Sequence, residues 1–299
     1  MHRIDLLASR PQYLAHLQPV WEALPRTRRG REDGPSGTDA ALVASAQDLA
    51  LAARLRYRHV AYLEHGIGQT YGPELVGYPG GIGRGTVGLF LSPNEHAAMA
   101  DRAAYPQTRV AVVGDPTLDS LPHREPGPLA VAVSFHWECH ALPETRSALG
   151  HYRRALAQLA ERWPLIGHGH PKAHRELERL WRGLGVEWVP SWADVLRRAD
   201  VYVCDNSSTL FEFASTGRPV VVLNAPWYRR TVEHGLRFWP AASVGVQVDE
   251  PGELPGAIER AMDDPPAQQH LRDTALRLVY AHRTGGAARA ATAIEEWLG

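Results

Sequence analysis

The chain has little cysteine and no long apolar run, and each shortage excludes a class of protein. Its two cysteines, Cys139 and Cys204, are too few for a disulfide framework and lack the spacing of a zinc site. No apolar run reaches the length of a membrane span, and the first residues lack the apolar block of a secretory signal. We therefore expect a globular protein in the cytoplasm, with peripheral contact at the inner face of the membrane left open.

Lysine is almost absent, and the formal net charge is only −1, so the chain has no general attraction to nucleic acid. Of its 32 basic residues, 31 are arginine, which indicates a coding bias against lysine. The single lysine, Lys172, follows His168, His170 and Pro171, and its compact ammonium group would act as a point charge on a phosphate. A surface lysine without a special role is the alternative. Arg229 is a second candidate for neutralising phosphate.

The length of 299 residues, with 44% hydrophobic residues, is enough for two domains. Apolar runs of strand length alternate with segments of helical periodicity, which predicts an α/β fold with parallel sheets. Three prolines between residues 120 and 129 mark the predicted linker between a first domain, 1–121, and a second, 129–284. Residues 25–38 are polar and rich in arginine and turn formers, and we predict a mobile surface loop there, with contact to an anionic acceptor or lipid headgroups as the alternative.

The most informative stretch is a predicted strand, turn, helix and strand between residues 201 and 224. The turn holds five small polar residues: Asp205, Asn206, Ser207, Ser208 and Thr209. Such side chains at the start of a helix can cap it, and they also offer donors to a phosphate or diphosphate. Glu212, one turn into the helix, is positioned to accept hydrogen bonds from ribose hydroxyls. A well-capped core helix is the alternative interpretation.

A histidine follows the strand predicted over residues 60–63. Ligands of open parallel sheets lie beyond the carboxyl ends of the strands, which is where His65 falls. An imidazole followed by glycine can approach a substrate and remove a hydroxyl proton near neutral pH. His65 is therefore the candidate general base, with Gly66 and Gln69 beside it on the acceptor side. A structural histidine at a strand end is the alternative.

A third polar cluster, His136, Trp137 and His140, follows the strand predicted over residues 130–135. Together with the two later histidines, His168 and His170, it invites a metal interpretation. Carboxylates and thiolates are too few at ligand spacing for that, so we predict no metal site. His136 and Trp137 are instead interpreted as residues that bind a nucleotide-linked donor.

Four motifs, in this order along the chain, resemble the CDP-glycerol glycerophosphotransferase family, whose members build teichoic-acid-type polymers. They are His65-Gly66, Ser134-Phe-His-Trp137, His170-Pro171, and Asp205-Asn-Ser-Ser208 with Glu212 and Gly217-Arg-Pro219. The resemblance implies a GT-B-like fold of two Rossmann-like domains facing a cleft, and a closing helix over 285–299 that crosses back to the first domain. It also implies that His65 is the base, and that His170, Ser207 and Ser208 bind the donor phosphates while Glu212 binds the ribose.

The chain also departs from the family pattern. His136 stands near the place where the family has an arginine after its tryptophan, and Ile67-Gly68-Gln69 replaces the residues that often follow His-Gly. The resemblance still implies a transferase without a cofactor, which moves a glycerol-phosphate-type group from a CDP-activated donor to a hydroxyl of a glycolipid or polymer. Three alternatives stay open: a GT-B glycosyltransferase for UDP- or GDP-sugars, an enzyme like UDP-N-acetylglucosamine 2-epimerase, and a non-catalytic nucleotide-binding module.

Overall fold

The computed structural model describes residues 2–32, 34–67, 84–140, 142–205, 207–230 and 239–299. These residues form two compact units, and each unit is built around its own sheet of parallel strands. Unit 1 contains the described residues up to Ser120 together with Arg277–Gly299, and unit 2 contains the described residues from Leu121 to Leu276. The predicted α/β class is confirmed. No helix among the described residues is long and apolar enough to cross a membrane.

The sheet of unit 1 has five parallel strands that lie side by side in chain order. They are β1 (Ile4–Leu6), β2 (Ala40–Val43), β3 (His59–Leu63), β4 (Leu89–Ser92) and β5 (Arg109–Val112). Among the described residues, three helices lie between these strands: α1 (Pro11–Ala23), α2 (Ala46–Arg54) and α3 (Glu95–Ala104). Side chains cap two of these helices, because Ser45 accepts a hydrogen bond from Asp48 N and Asn94 accepts one from Ala97 N.

The sheet of unit 2 has six parallel strands, in the order β11-β10-β9-β6-β7-β8. The strands are β6 (Val131–Phe135), β7 (Leu165–Gly169), β8 (Glu187–Trp188), β9 (Val201–Cys204), β10 (Val220–Leu223) and β11 (Val246–Val248). The helices are α4 (Leu149–Tyr152), α5 (Leu156–Arg162), α6 (His174–Gly183), α7 (Trp192–Arg198), α8 (Thr209–Ser215), α9 (Leu254–Asp263) and α10 (Pro266–Val279). The carboxyl ends of β6, β7 and β9 therefore meet at one edge of the sheet.

The last helix, α11 (Gly286–Leu298), belongs to unit 1. Asp119 caps its start, since its carboxylate accepts hydrogen bonds from Gly285 N at 2.5 Å and from Ala287 N at 2.8 Å. The apolar face of α11 packs into a core that includes the face of α1 and residues of β1 to β4. The helix thus covers apolar surface that the first 120 residues would otherwise expose.

The segment 25–38 is tied to β1, so the prediction of a mobile loop is wrong for the part that the structure describes. Ile4 N donates a hydrogen bond to Arg28 O at 2.9 Å. The buried carboxylate of Asp5 accepts hydrogen bonds from Ser36 N at 2.8 Å and from Ser36 Oγ at 2.7 Å. The loop was predicted from the polar composition of the segment. That composition does not reveal that Asp5, inside β1, accepts hydrogen bonds from the segment and anchors it.

Residues 144–162, which the apolar pattern predicts as mainly helix, are helical in short pieces. The segment forms a short 3-10 turn at Pro143–Thr145 and then the two short helices α4 and α5. The backbone amide of Ala148, just before α4, donates a hydrogen bond to the buried carboxylate of Asp205 at 2.8 Å. This long-range partner fixes the chain in a course that helical periodicity does not reveal.

Candidate functional site

His65 is the second residue after β3, at the carboxyl edge of the sheet of unit 1. Two aromatic side chains of α1 flank its ring: the centre of the Tyr13 ring is 5.4 Å away and that of the His16 ring 5.7 Å. The pKa of His65 is lowered to about 4, first by burial and then by His16 and Arg84, while the Glu64 carboxylate and a hydrogen bond with the Ala44 backbone act in the opposite direction. The imidazole is therefore neutral at pH 7 and has a lone pair that can take a proton.

His16 is a neighbour of this site that the sequence did not single out. Burial lowers its pKa to about 4, and its Nδ1, like that of His65, is buried without a hydrogen-bond partner in the described part of the chain. His168 in unit 2 is a useful contrast, because its buried ring has Nδ1 only 2.7 Å from Val189 O. Buried polar atoms are normally paired, so the two unpaired imidazole nitrogens set His16 and His65 apart from a structural histidine.

Gly66 has φ of +70°, a left-handed backbone conformation that favours glycine. It turns the chain immediately after His65 and is itself buried. Gln69, the other residue predicted on the acceptor side, lies outside the described residues, as does Asn206 in the turn before α8.

The Asp205 side chain supports its surroundings and does not offer itself to a ligand. It is fully buried, and its carboxylate accepts hydrogen bonds from His136 N at 2.7 Å and from Ala148 N at 2.8 Å. Ser147 Oγ lies 3.3 Å from the same carboxylate. We therefore correct the prediction that Asp205 contacts a donor: it joins the chain segments that follow β6 and β9, because their backbone amides need a buried acceptor.

The hydroxyl groups of the turn before α8 bond to one another. Ser207 Oγ lies 2.8 Å from Thr209 Oγ1, which lies 2.9 Å from the hydroxyl of Tyr202. Ser208 is the N-cap residue of α8, but its side chain makes no capping hydrogen bond. All three hydroxyl residues of the turn are partly exposed, so the set remains accessible to a ligand.

Glu212, on α8, is buried and is held by a side chain that the sequence did not single out. Trp192 Nε1 donates a hydrogen bond to Glu212 Oε2 at 2.8 Å. The Trp192 ring packs edge-on against Tyr202, with 5.1 Å between the ring centres. An indole N–H that is removed from water needs an acceptor, and this rule is the signal that could have linked the two residues.

Four of the predicted donor residues lie together at the carboxyl ends of β6 and β7. The ring centres of His136 and His170 are 4.8 Å apart, and Trp137 is 6.1 Å from His170. Lys172 Nζ lies 4.0 Å from the centre of the Trp137 ring, which is a cation–π distance. Lys172 N also donates a hydrogen bond to His170 Nδ1 at 3.2 Å. The only lysine of the chain therefore stands beside an aromatic ring and two imidazoles.

Arg229 is already paired with a buried carboxylate. Its Nε and Nη2 contact the two oxygens of Glu144 at 2.5 and 2.9 Å, and its backbone N contacts Oε1 at 2.9 Å. Burial works to raise the pKa of Glu144, but the hydrogen bonds from Arg229 outweigh it and hold that pKa below its usual value. The Arg229 side chain is thus held by Glu144 and remains 43% exposed, and its contact with a phosphate stays a prediction.

The residues described by the structure contain no group of three or more histidine, cysteine, aspartate or glutamate side chains arranged to hold a metal ion. His136 Nδ1 instead lies 3.0 Å from Trp137 O and 3.2 Å from Thr145 O. These backbone contacts orient the ring toward the protein's own carbonyl groups.

The fold is similar to several solved structures. The UDP-GlcNAc 2-epimerase from Neisseria meningitidis bound to UDP-GlcNAc matches 100% of this chain and 99% of its own, at 14% identity and a TM-score of 0.62. The S. aureus MnaA-UDP co-structure matches 100% and 97%, at 13% identity and a TM-score of 0.65. The wall teichoic acid polymerase TagF, after a 30 minute soak with CDPG, matches 99% and 88%, at 12% identity and a TM-score of 0.65. These likenesses define the fold as GT-B type.

Part of the second half of the chain matches a known family by its sequence. Residues 151–294 match the model of the family described as CDP-Glycerol:Poly(glycerophosphate) glycerophosphotransferase, which confirms the predicted resemblance. The match to this family covers slightly less than half of the chain. The match includes His170, Lys172 and the turn before α8, whereas His65 lies outside it. None of the curated protein sequences matches the chain.

Proposed function

We propose that the protein transfers a glycerol-phosphate-type group from CDP-glycerol to a hydroxyl group of a glycolipid or polymer. The observation that carries this proposal is the family match, because it covers the segments that hold His170, Lys172 and the hydroxyls of the turn before α8. A polar, partly exposed set of this kind at the carboxyl edge of a parallel sheet is suited to a nucleotide diphosphate.

On the donor side, the phosphates would contact His170 and the hydroxyls of Ser207 and Ser208. The exposed ammonium group of Lys172 would place positive charge beside these phosphates. The guanidinium of Arg229 already forms an ion pair with Glu144. Glu212, oriented by its hydrogen bond from Trp192, would accept from the ribose hydroxyls.

On the acceptor side, neutral His65 would take the proton of the attacking hydroxyl. The oxygen forms a bond to the outer phosphorus of the donor, the bond between that phosphorus and the bridging oxygen breaks, and CMP leaves with the electron pair. Positioning and charge stabilisation supply most of the acceleration in phosphoryl transfer. Because the pKa of His65 is only about 4, the base stays unprotonated throughout the neutral range, and its orientation matters more than its strength.

The test measures CMP release from CDP-glycerol with glycerol as the acceptor, and CDP-glycerol binding by calorimetry. His65→Ala should abolish turnover and leave binding within about twofold, since it removes only a proton acceptor. The double variant Ser207→Ala and Ser208→Ala should weaken binding by more than about tenfold, because one lost hydrogen bond to a charged group already costs about that much. Ser215→Ala is the matched control, because this hydroxyl bonds to Phe211 O within α8.

Full activity of the His65 variant would remove it as the base. Parallel incubation with UDP-N-acetylglucosamine separates the proposal from the epimerase alternative, which the similar folds favour as the second candidate. Conversion of that sugar nucleotide without turnover of CDP-glycerol would replace the proposed function with the second one.

A further inference from the structure

Glu212 is a nearly buried carboxylate whose orientation is set by a neighbouring indole. The residue lies on α8 and is only 5% exposed. Trp192 Nε1 donates a hydrogen bond to Glu212 Oε2 at 2.8 Å, although the two residues are 20 positions apart in the sequence. An ionised carboxylate can accept about four hydrogen bonds, so the indole uses only part of this capacity. The bond therefore fixes the group and leaves it suited to accept from hydroxyl groups of a ligand.

The ring of Trp192 is itself held in place by packing. It contacts two buried rings, with 5.1 Å between the ring centres of Trp192 and Tyr202 and 5.7 Å between those of Trp192 and His168. Trp192 is also the first residue of α7, whose N-cap, Ser191, accepts a hydrogen bond from Asp194 N at 3.3 Å. A side chain whose rotamer is locked by such packing directs its N–H along one line.

The backbone that leads to Trp192 is fixed to strand β7. Val189 N donates a hydrogen bond to Gly167 O at 2.9 Å, and His168 Nδ1 lies 2.7 Å from Val189 O. The Trp188 ring stacks on His168, with 6.3 Å between the ring centres. Trp192 therefore stands on a firm support at the carboxyl ends of β7 and β8, the edge of a parallel sheet at which ligands bind.

The contact with Tyr202 reaches the hydroxyls that we assign to phosphate. The Tyr202 hydroxyl lies 2.9 Å from Thr209 Oγ1, which lies 2.8 Å from Ser207 Oγ. Trp192 thus touches the supports of both the ribose side and the phosphate side of the donor site. The two supports use different atoms, because Glu212 bonds to the indole N–H, whereas Tyr202 packs against the indole ring. Removal of the N–H alone therefore affects the ribose side.

Burial decides how selective a carboxylate is for hydroxyl groups. At an exposed carboxylate, water replaces a missing ligand hydroxyl at little cost. At a nearly buried one, the missing hydrogen bond leaves a polar group unsatisfied, and a site built to bind a hydroxyl strongly rejects the analogue that lacks it. Ribose has two adjacent hydroxyl groups and 2′-deoxyribose has one of them, so the two sugars differ in what they offer to Glu212.

We propose that Trp192 is a positioning residue that makes the donor site selective for ribonucleotides over 2′-deoxyribonucleotides, because it holds the Glu212 carboxylate in the orientation that accepts from the ribose hydroxyls. This rests on the proposed function, in which Glu212 binds the ribose. The indole N–H occupies Oε2 and so sets the rotation of the carboxylate. Without the N–H the rings still pack, but the carboxylate is no longer oriented and the 2′-hydroxyl contributes less to binding.

The experiment measures binding of CDP and of 2′-deoxy-CDP to the full chain by calorimetry. The unsubstituted chain should bind CDP about tenfold to hundredfold more tightly, the range for one hydrogen bond to a charged group. Trp192→Phe should weaken CDP binding by about tenfold and leave 2′-deoxy-CDP binding within about twofold, so that the preference for ribose falls. In a Glu212→Gln background, Trp192→Phe should add no further change to the preference, because both residues act through one hydrogen bond.

Trp188→Phe is the matched control. It makes the same substitution in the ring that stacks on His168 and leaves the bond between Trp192 and Glu212 intact, so both dissociation constants should stay unchanged. If Trp192→Phe fails to fold, benzothienylalanine at position 192 takes its place in the measurement, since it keeps both rings and replaces the N–H by sulfur.

Equal affinity of the unsubstituted chain for the two nucleotides would overturn the inference. An equal loss of both affinities in Trp192→Phe would do the same, because that is the result of a merely structural role. CMP release from CDP-glycerol is measured in parallel. A chain that prefers CDP but releases no CMP loses the proposed function and keeps the inference, whereas a chain that binds neither nucleotide loses both.

Discussion

Individual histidines differ in whether their ring nitrogens are satisfied, and this difference matters more than their burial. The pKa values of His16, His65 and His168 are all lowered to about 4, with burial as the largest cause. Only His168 has its buried Nδ1 next to a backbone carbonyl. His168 is thus tied to the core through Nδ1, whereas the Nδ1 atoms of His16 and His65 have no such partner in the described part of the chain.

The lowered pKa of His16 predicts a pH dependence of stability. Its pKa in the folded protein, about 4, is below the ordinary value of 6.5, so the unfolded chain binds the proton more readily and stability falls as pH drops from 6.5 toward 4. His16→Phe should make the unfolding free energy less dependent on pH in this range, by the equivalent of about one proton. Urea unfolding at pH 5, 6 and 7.5 measures this slope. His96→Phe, at an exposed position of α3, should keep the original slope, and an unchanged slope for His16→Phe would contradict the prediction.

At the scale of elements, strand β7 packs closely against α6 because it contains glycine. A Cβ added to Gly167 would lie 2.3 Å from Trp181 Cγ, a distance that real Cβ atoms do not adopt. Gly167→Ala should therefore destabilise unit 2 by about 1–3 kcal/mol through overpacking. Gly183→Ala, at the end of α6, meets nothing within 4 Å and should leave stability equal or higher by up to about 1 kcal/mol. Thermal unfolding of both variants separates the two cases, and equal midpoints would show that β7 and α6 can move apart.

Sequence patterns predicted the elements well where the signal is local. The bounds of β9 and β10, Val201–Cys204 and Val220–Leu223, agree with the apolar runs, because a strand buried on both faces reads as a continuous apolar segment. The patterns failed where a distant polar group decides the course of the chain. Asp5 and Asp205 both bind backbone amides far along the sequence, and neither periodicity nor composition contains such partners.

The candidate site shows the same division. Its residue types were predictable, since His65, His170 and the hydroxyls of the turn before α8 stand at strand ends, where ligands of parallel sheets bind. Their partners were not, because the pairing of Arg229 with Glu144 and of Trp192 with Glu212 depends on packing between segments 85 and 20 residues apart. These pairings decide which charges remain for a ligand.

At the scale of the whole molecule, the last helix packs against the first elements of the chain, because α11 completes the core of unit 1. Ala290, Ile294 and Leu298 are buried in the same apolar cluster as Leu17 and Trp21 of α1.

Deletion of residues 285–299 would expose that cluster and remove the helix that Asp119 caps. We expect the truncated chain to lose the slowly exchanging amides of β1 to β4 while those of β6, β7 and β9 stay protected, since unit 2 has its own core. Hydrogen exchange followed by mass spectrometry resolves the two sets of strands. Asp119→Ala is the milder variant, expected to cost about 1 kcal/mol by loss of the cap. Protected β1 to β4 in the truncated chain would mean that unit 1 folds without its last helix.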